Sequence, residues 1–397
     1  MIAEIARTVA LVDEEPNRVC VVEAGTGTGK TIAYVLATIP IAKHFKKKIV
    51  VATATVALQE QIIYHDLPAI RQHSGLDFSF ALAKGRRRYL CLSRLDLALQ
   101  DSSGSSRSLA LFDAEPTDLA CEDVYQNMID RLGRGEWDGD RDNWPDEIDS
   151  SVWARVSADH AQCTQRNCSH YENCYFYRAR DLIHRVDCIV TNQDLVLSDL
   201  IMGGGAILPA PEDSVYIFDE CHHLPEKAGN HFSNRLSLYA TRTWLLQLPD
   251  VMEMMRQDIS NVSENQISTL RGQIEHAVEV LDDLAIEAQS LRDHADIVDE
   301  GLLRRFEYGR VPVNLSQVAV EAATSFSRIA ELIASILPLT ENIIGNSSAT
   351  EREHAEHWLA VVSVTSDRLD AGRALWVNYA QAEHDPPYAR WVMFSRV

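Results

Sequence analysis

Three sets of residues in this 397-residue chain have the types and spacing to do chemistry. The first is Ala24-Gly25-Thr26-Gly27-Thr28-Gly29-Lys30-Thr31, the spacing of a GxxxxGK[ST] phosphate loop with alanine in the first glycine position. That swap asks for φ below zero at Ala24. Backbone N–H groups of such a turn, and the positive end of the helix behind it, face an anion. Lys30 then reaches the β- and γ-phosphates of ATP, and the Thr31 hydroxyl ligates Mg²⁺. The second set is Asp219-Glu220-Cys221-His222, which closes the apolar run Val215-Tyr216-Ile217-Phe218. A carboxylate at a strand tip (Asp219) can hold Mg²⁺, and its neighbour (Glu220) can orient the attacking water. His222 would lie near the γ-phosphate; otherwise it is a strand-end histidine satisfied by backbone.

The third set is Cys163, Cys168 and Cys174, a C-x4-C-x5-C triple in a polar segment, with Cys91 lying 72 residues before Cys163. Four thiolates from one single and one triple source bind a [4Fe–4S] cluster or zinc. Zinc ribbons use tighter C-x2-C pairs, so this spacing favours iron–sulphur. Cys20, Cys188 and Cys221 lie in or beside apolar runs and read as small core residues. Cys121 stands alone.

The elements that must position these groups alternate. Residues 3–12 read as an amphipathic helix and 19–22 as the strand before the phosphate loop. Helical spacing follows at Ile32, Val35, Leu36 and Ile39, then a buried strand at 48–53. Val56 to Ile63 reads as a helix that displays Gln59 and Gln61, and 78–82 as a third strand. Further strands are expected at 187–192 and 215–220. Strands alternating with helices predict an α/β fold with a parallel sheet covered on both faces. Between 98 and 160 the periodicity dissolves, which suggests an insertion. Beyond 231 the pattern is helical, with an apolar stripe at Ile274, Ala277, Val278, Leu281, Leu284, Ala288 and Leu291 and similar stripes over 316–337 and 351–380. Trp391 to Phe394 reads as a strand returning to the sheet.

No run of 18 apolar residues suggests a membrane span, and the N-terminus lacks a basic-then-apolar signal. Eight cysteines in such a chain point to metal or redox chemistry rather than a disulfide framework. The net charge of −21 does not exclude nucleic acid, because binding depends on a local basic track. Residues 101–160 concentrate the acid, with 15 Asp/Glu against 5 Lys/Arg, whereas Lys46–Lys48 and Lys84-Gly85-Arg86-Arg87-Arg88 are basic. Each basic cluster is either such a track or a solvated face.

Taken in order, the phosphate loop, Thr53-Ala54-Thr55 through Gln61, Lys84 through Cys91, the cysteine triple, Thr191-Asn192-Gln193 and the DExH box resemble the DinG family of bacterial iron–sulphur DNA helicases, related to XPD. The resemblance covers essentially the whole chain. It implies a P-loop RecA-like parallel sheet with an inserted iron–sulphur cluster domain and a helical arch domain. On that likeness residues 1–90 and 181–230 form the first motor domain, 91–180 the cluster insertion, 231–385 the arch, and 386–397 a strand returning to the motor. It further implies a [4Fe–4S] cluster on Cys91, Cys163, Cys168 and Cys174, and ATP with Mg²⁺ on residues 24–31, Asp219 and Glu220. Single-stranded DNA would be contacted by Thr53, Thr55 and Gln59, with Arg86 and Arg88 on the basic track. Tyr89 and Tyr175 are either base-stacking or packed residues.

The implied activity is ATP-driven 5′→3′ translocation and unwinding in DNA repair or replication, on forked or RNA–DNA hybrid structures. A cytoplasmic monomer is implied, with no membrane and with single-strand binding protein as a partner. The chain departs from the family in lacking the upstream adenine-reading glutamine and in ending before the Ser-Ala-Thr motif. Alone it is therefore expected to bind ATP, cluster and DNA without unwinding duplexes. A non-catalytic ATP- and DNA-binding protein and an iron–sulphur redox sensor are the other readings.

Overall fold

The apolar run at Lys48–Thr53 (β1) sits between two parallel partners, and the first structural unit is built outward from it. The computed structural model describes residues 1–10, 19–25, 27–102, 119–158, 163, 165–259, 262–298, 301–346, 349–381, 384–385 and 387–395. These divide into two units: residues 1–92, 130–149 and 172–233, and residues 93–129, 150–171 and 234–397. The stretch 91–180, expected as one insertion, is thus shared between them.

In the first unit the sheet order is β2 (Phe80–Leu82), β3 (Cys188–Asn192), β1, β4 (Ser214–Phe218), every pair parallel. Alternation sorts the strand side chains. Ile49, Val51, Cys188 and Val190 face α2 (Lys30–His44) and the helical run from Ile62 to Ile70. Val50, Ala52 and Ile189 face the other layer, with Ile183 of α8 (Tyr175–Ile183) and Leu195 and Val196 of α9 (Gln193–Ile201). Both faces are covered, as a parallel sheet requires. Residues 19–22 differ from expectation: they form no strand, and Val19 and Val21 are 82% and 81% exposed. Among the described residues no neighbour pairs with them, so their apolar character alone does not make them sheet.

The second unit is helical. Its core joins α11 (Leu238–Ile259), α12 (Glu264–Gln289), α13 (Val313–Ala334) and α15 (Ala349–Ala380). A Ser263/Gln266 capping box starts α12, and the expected stripe from Ile274 to Ala288 is buried. Gly372 lets α15 approach the Phe326 ring, where an added Cβ would come within 2.4 Å. One helical stretch, 313–343, has the length and hydropathy of a span, but its Leu315, Ala319, Phe326, Ile329 and Ile333 belong to this core.

A small antiparallel sheet orders β5 (Asp296–Val298), β6 (Gly301–Arg305) and β7 (Trp391–Ser395). Residues 391–394 therefore do not return to the parallel sheet. Register with 302–305 takes their hydrogen bonds, and Tyr379 fixes Trp391 through both its N–H and its carbonyl. The cysteine-bearing loop is anchored here too. His170 pairs with Asp96 at 2.8 Å, and Ser169 donates to the buried Glu356 at 3.4 Å.

Beside Glu356, the His357 Nε2 is enclosed without a hydrogen-bond partner among the described residues. Burial, and secondarily the Arg94 charge, bring its pKa down to about 4. The unfolded chain thus accepts a proton near pH 6.5 that the folded one refuses. Stability from this site is full above about pH 6.5 and falls as pH drops toward 4, by up to about 3 kcal/mol. Denaturant titrations at stepped pH should show that slope in the wild type and lose it in His357→Gln.

Candidate nucleotide and nucleic-acid site

In the first unit Lys30, Thr53, Asp219 and Glu220 lie at one rim of the sheet. Register pairs Thr53 with Asn192 and Ala52 with Phe218, so the C-terminal tips of β1, β3 and β4 are level. The carboxyl ends of parallel strands are where α/β sheets bind ligands. Hydroxyls cross-link this rim: Thr191 donates to the Ala83 carbonyl at 3.1 Å, and Thr53 to the Thr55 carbonyl at 3.0 Å.

Lys30 opens α2 behind Gly29, whose φ of 76° puts it in the left-handed region, as does that of Gly27. Ala24 stays out of that region, as its side chain demands. Gly25, Gly27, Thr28 and Gly29 are exposed, and Thr28 donates to the Gly25 carbonyl at 2.8 Å. Thr31 is half-buried in the first turn; Thr26 lies outside the described residues. The Lys30 ammonium meets a Glu220 carboxylate oxygen at 2.7 Å. That contact raises the Lys30 pKa and lowers that of Glu220.

Asp219 continues the β4 ladder, its N–H donating to Ala52 at 2.8 Å. The chain then turns sharply, with Glu220 at φ 52°. A non-glycine residue there is strained. His222 is exposed, 3.4 Å from Glu220 through Nδ1, with its ring against His223. Burial raises the Asp219 pKa, Lys30 offsets it only in part, and the Glu220 and Asp66 charges add to the rise.

Sequence reading missed two residues here. Asp66 ends a π-helical turn, Ile62–Asp66, a feature common at functional sites. Gln193 is fully buried and donates to the carbonyls of Asp219 and Glu220. Asp66 belongs to no motif with its own spacing; Gln193 closes the Thr191-Asn192-Gln193 run noted in the sequence, which by itself assigned it no role.

The residues expected to contact nucleic acid are placed unevenly. Thr55 is exposed and caps α3 (Val56–Gln61) by accepting from Leu58 N–H. Thr53 is buried. Gln59, expected to be displayed, is buried at 4% because the helix turns that face onto the sheet, leaving Glu60 and Gln61 outward. In the basic turn Lys84 is 8% exposed and pairs with Asp140 at 2.5 Å and Asp142 at 2.8 Å. Arg88 pairs with Asp142, and its pKa is lowered by burial and by Arg141. Arg86 stacks 4.1 Å over the Phe176 ring. Tyr89 is buried edge-on to Phe176, and the Tyr175 ring lies against Gly139; both are packed.

Cys91 and Cys174 belong to the first unit, Cys163 and Cys168 to the second, and all four are half-buried. Cys174 precedes α8 as its N-cap residue, and the Gln165 N–H points at the Cys163 sulphur at 3.4 Å. Among the described residues no group of three or more His, Cys, Asp or Glu is placed to hold a metal ion. Of the three presumed core cysteines, Cys188 is buried; Cys20 is half-buried and Cys221 exposed, because neither lies within a paired strand.

Residues 5–96 match the DEAD/DEAH box helicase family model. The ATP-dependent DNA helicase DinG of Photobacterium profundum is 34% identical over 99% of this chain and 56% of its own length. Over nearly its whole length this chain is similar to DinG. The DinG of Escherichia coli is 37% identical over 62% of this chain and 33% of its own length. The chain spans about half the length of the first DinG relatives it matches. Among solved structures, one described as "Truncated XPD" is 14% identical, covering 91% of this chain and 81% of its own, at a TM-score of 0.37, too low to bear on function.

Two measurements test this geometry. Removing the Lys84 ammonium leaves two enclosed carboxylates facing each other, so Lys84→Met should destabilise the protein by about 3–5 kcal/mol. Adding Asp140→Asn should recover part of that loss in urea titrations. If Asp219 holds Mg²⁺ as the sequence leads one to expect, its raised pKa makes protons compete with the metal earlier than at an ordinary aspartate. Calorimetric MgADP affinity should therefore decline on acidification before the usual Asp range is reached, and Asp219→Asn should be weak and flat with pH.

Proposed function

We propose that this chain is the nucleotide-hydrolysing part of an ATP-dependent 5′→3′ DNA helicase, acting on single-stranded DNA at forks or RNA–DNA hybrids in repair or replication. The observation that carries the reading is the contact of Lys30 with Glu220 beside Asp219, at the mouth of a loop with left-handed Gly27 and Gly29. In this reading loop N–H groups and Lys30 bind the phosphates, and Thr31 and Asp219 hold Mg²⁺. Glu220, once released from Lys30 by the γ-phosphate, orients water for in-line attack, with His222 beside it. Thr55, with Arg86 and Arg88 on the basic turn, lies on the strand-facing side; Thr53 and Gln59 support it from within.

Cys91, Cys163, Cys168 and Cys174 are proposed as ligands of a [4Fe–4S] cluster. Thiolates are the ligands such clusters take, and an N–H directed at a cysteine sulphur, as at Cys163, is the kind of bond that tunes them. Bound there, the cluster would staple distant segments. A cytoplasmic monomer that cooperates with single-strand binding protein completes the proposal. Support comes from the DinG relatives, which are named as ATP-dependent DNA helicases.

The test is ATP turnover by anaerobically purified protein, with and without single-stranded DNA. Expected are DNA-stimulated hydrolysis abolished by Lys30→Ala, and a broad absorption shoulder near roughly 400 nm that Cys168→Ser removes. Absence of hydrolysis under both conditions would sink the motor assignment, and a colourless zinc protein would sink the cluster.

A further inference from the structure

The residue after β3 makes contacts that the motor reading leaves unused. Gln193 is wholly buried at the start of α9, where Asn192 fixes the helix by accepting from Leu195 N–H at 2.7 Å. Its Nε2 donates to the Asp219 carbonyl at 2.9 Å and the Glu220 carbonyl at 3.4 Å. Two carbonyl acceptors demand the amide nitrogen, so the orientation is set by chemistry. The cost is visible on the other atom: Oε1 is enclosed with no hydrogen-bond partner among the described residues. A buried orphan acceptor is destabilising, and an apolar side chain of the same length would avoid it. Stability alone therefore does not account for a glutamine here.

What the amide grips is the strained turn. Glu220 at φ 52° is a conformation the chain leaves unless held. Next door, Asp194 pairs with Lys227 and, at 3.1 Å, with His231, both on α10 (Leu224–His231). Consecutive residues on the first turn of α9 thus hold both flanks of the segment 219–231. Freed of Gln193, the turn can relax, and the Asp219 and Glu220 carboxylates shift against a phosphate loop that Gln193 does not touch.

We infer that Gln193 is a positioning residue for ATP hydrolysis, its side-chain amide fixing the Asp219–Glu220 backbone so that both carboxylates are aimed at the bound nucleotide. This rests on the motor reading above. Misplacement by an ångström at a reacting centre costs on the order of 100-fold in rate. Gln193→Met, which removes the orphan oxygen together with the donor, should fold at least as stably as wild type. Its kcat for MgATP, measured with single-stranded DNA on the full chain, should fall about 10- to 100-fold while KM changes by less than about threefold.

Gln193→Glu should be equally slow at neutral pH and regain rate, relative to wild type, as the pH is lowered and its carboxyl becomes a donor. Equal kcat in folded Gln193→Met, or a loss confined to KM, overturns the inference, as does a Gln193→Glu pH profile parallel to that of wild type. A wild-type chain that hydrolyses no ATP overturns the motor reading and this inference together. A wild-type ATPase indifferent to both substitutions overturns the inference alone.

Discussion

The parallel register of β1 against β3 and β4 is the constraint on which the site depends. Val50, Val51 and Ala52 are fully buried and paired on both sides, so the strand has no freedom to slide. A slip of one residue would move a strand tip by about 3.3 Å. That is more than the 2.7 Å contact between Lys30 and Glu220, and it would separate the two. Packing of branched apolar residues, which recognise no ligand, thereby fixes the distances on which the chemistry rests.

The ion pair at the rim is half-exposed and contributes little to stability. Its importance is in occupancy. Lys30 takes Glu220 as counterion, so any anion that reaches this rim competes with that carboxylate for the ammonium. Half-buried Asp219, with its raised pKa, is the other half of this arrangement. One carboxylate is held charged by a cation, and its neighbour is made reluctant to ionise by burial. Adjacent carboxylates thus differ in how readily they ionise.

Local patterns carried most of the fold into the sequence. Apolar runs at 48–53, 188–192 and 214–218 are strands because both sheet faces are covered, and the 3- and 4-residue stripe of α12 is its buried face. The phosphate loop and DExH box were legible because their chemistry needs contiguous residues. What failed was long-range. Val19 to Val22 look like a strand, but an apolar run becomes one only where a neighbour offers hydrogen bonds, and the described residues offer none. Trp391 to Phe394 do form a strand, on a different partner. Helical phase hid Gln59: a shift of one position on a six-residue helix moves a side chain from solvent to sheet. Gln193 acts through hydrogen bonds to residues 26 and 27 positions away, and Asp66 through its charge, neither of which local spacing encodes.

Charge shows the same limit. By composition the basic turn at 84–88 and the acidic insertion look like separate surfaces. In the fold they neutralise each other: Asp140 and Asp142 enclose Lys84, Asp142 holds Arg88, and the indole of Trp137 donates to the Asp140 carbonyl at 2.7 Å to keep the acidic loop in place. An anionic strand reaching this rim meets cations that already have carboxylate partners. It gains only the difference between two ion pairs, which is small wherever water reaches. Affinity from such a surface must come from groups not already charge-compensated, such as the exposed Thr55 at the start of α3 and backbone N–H groups at the rim. Contact through neutral donors on the sugar–phosphate backbone carries no base preference.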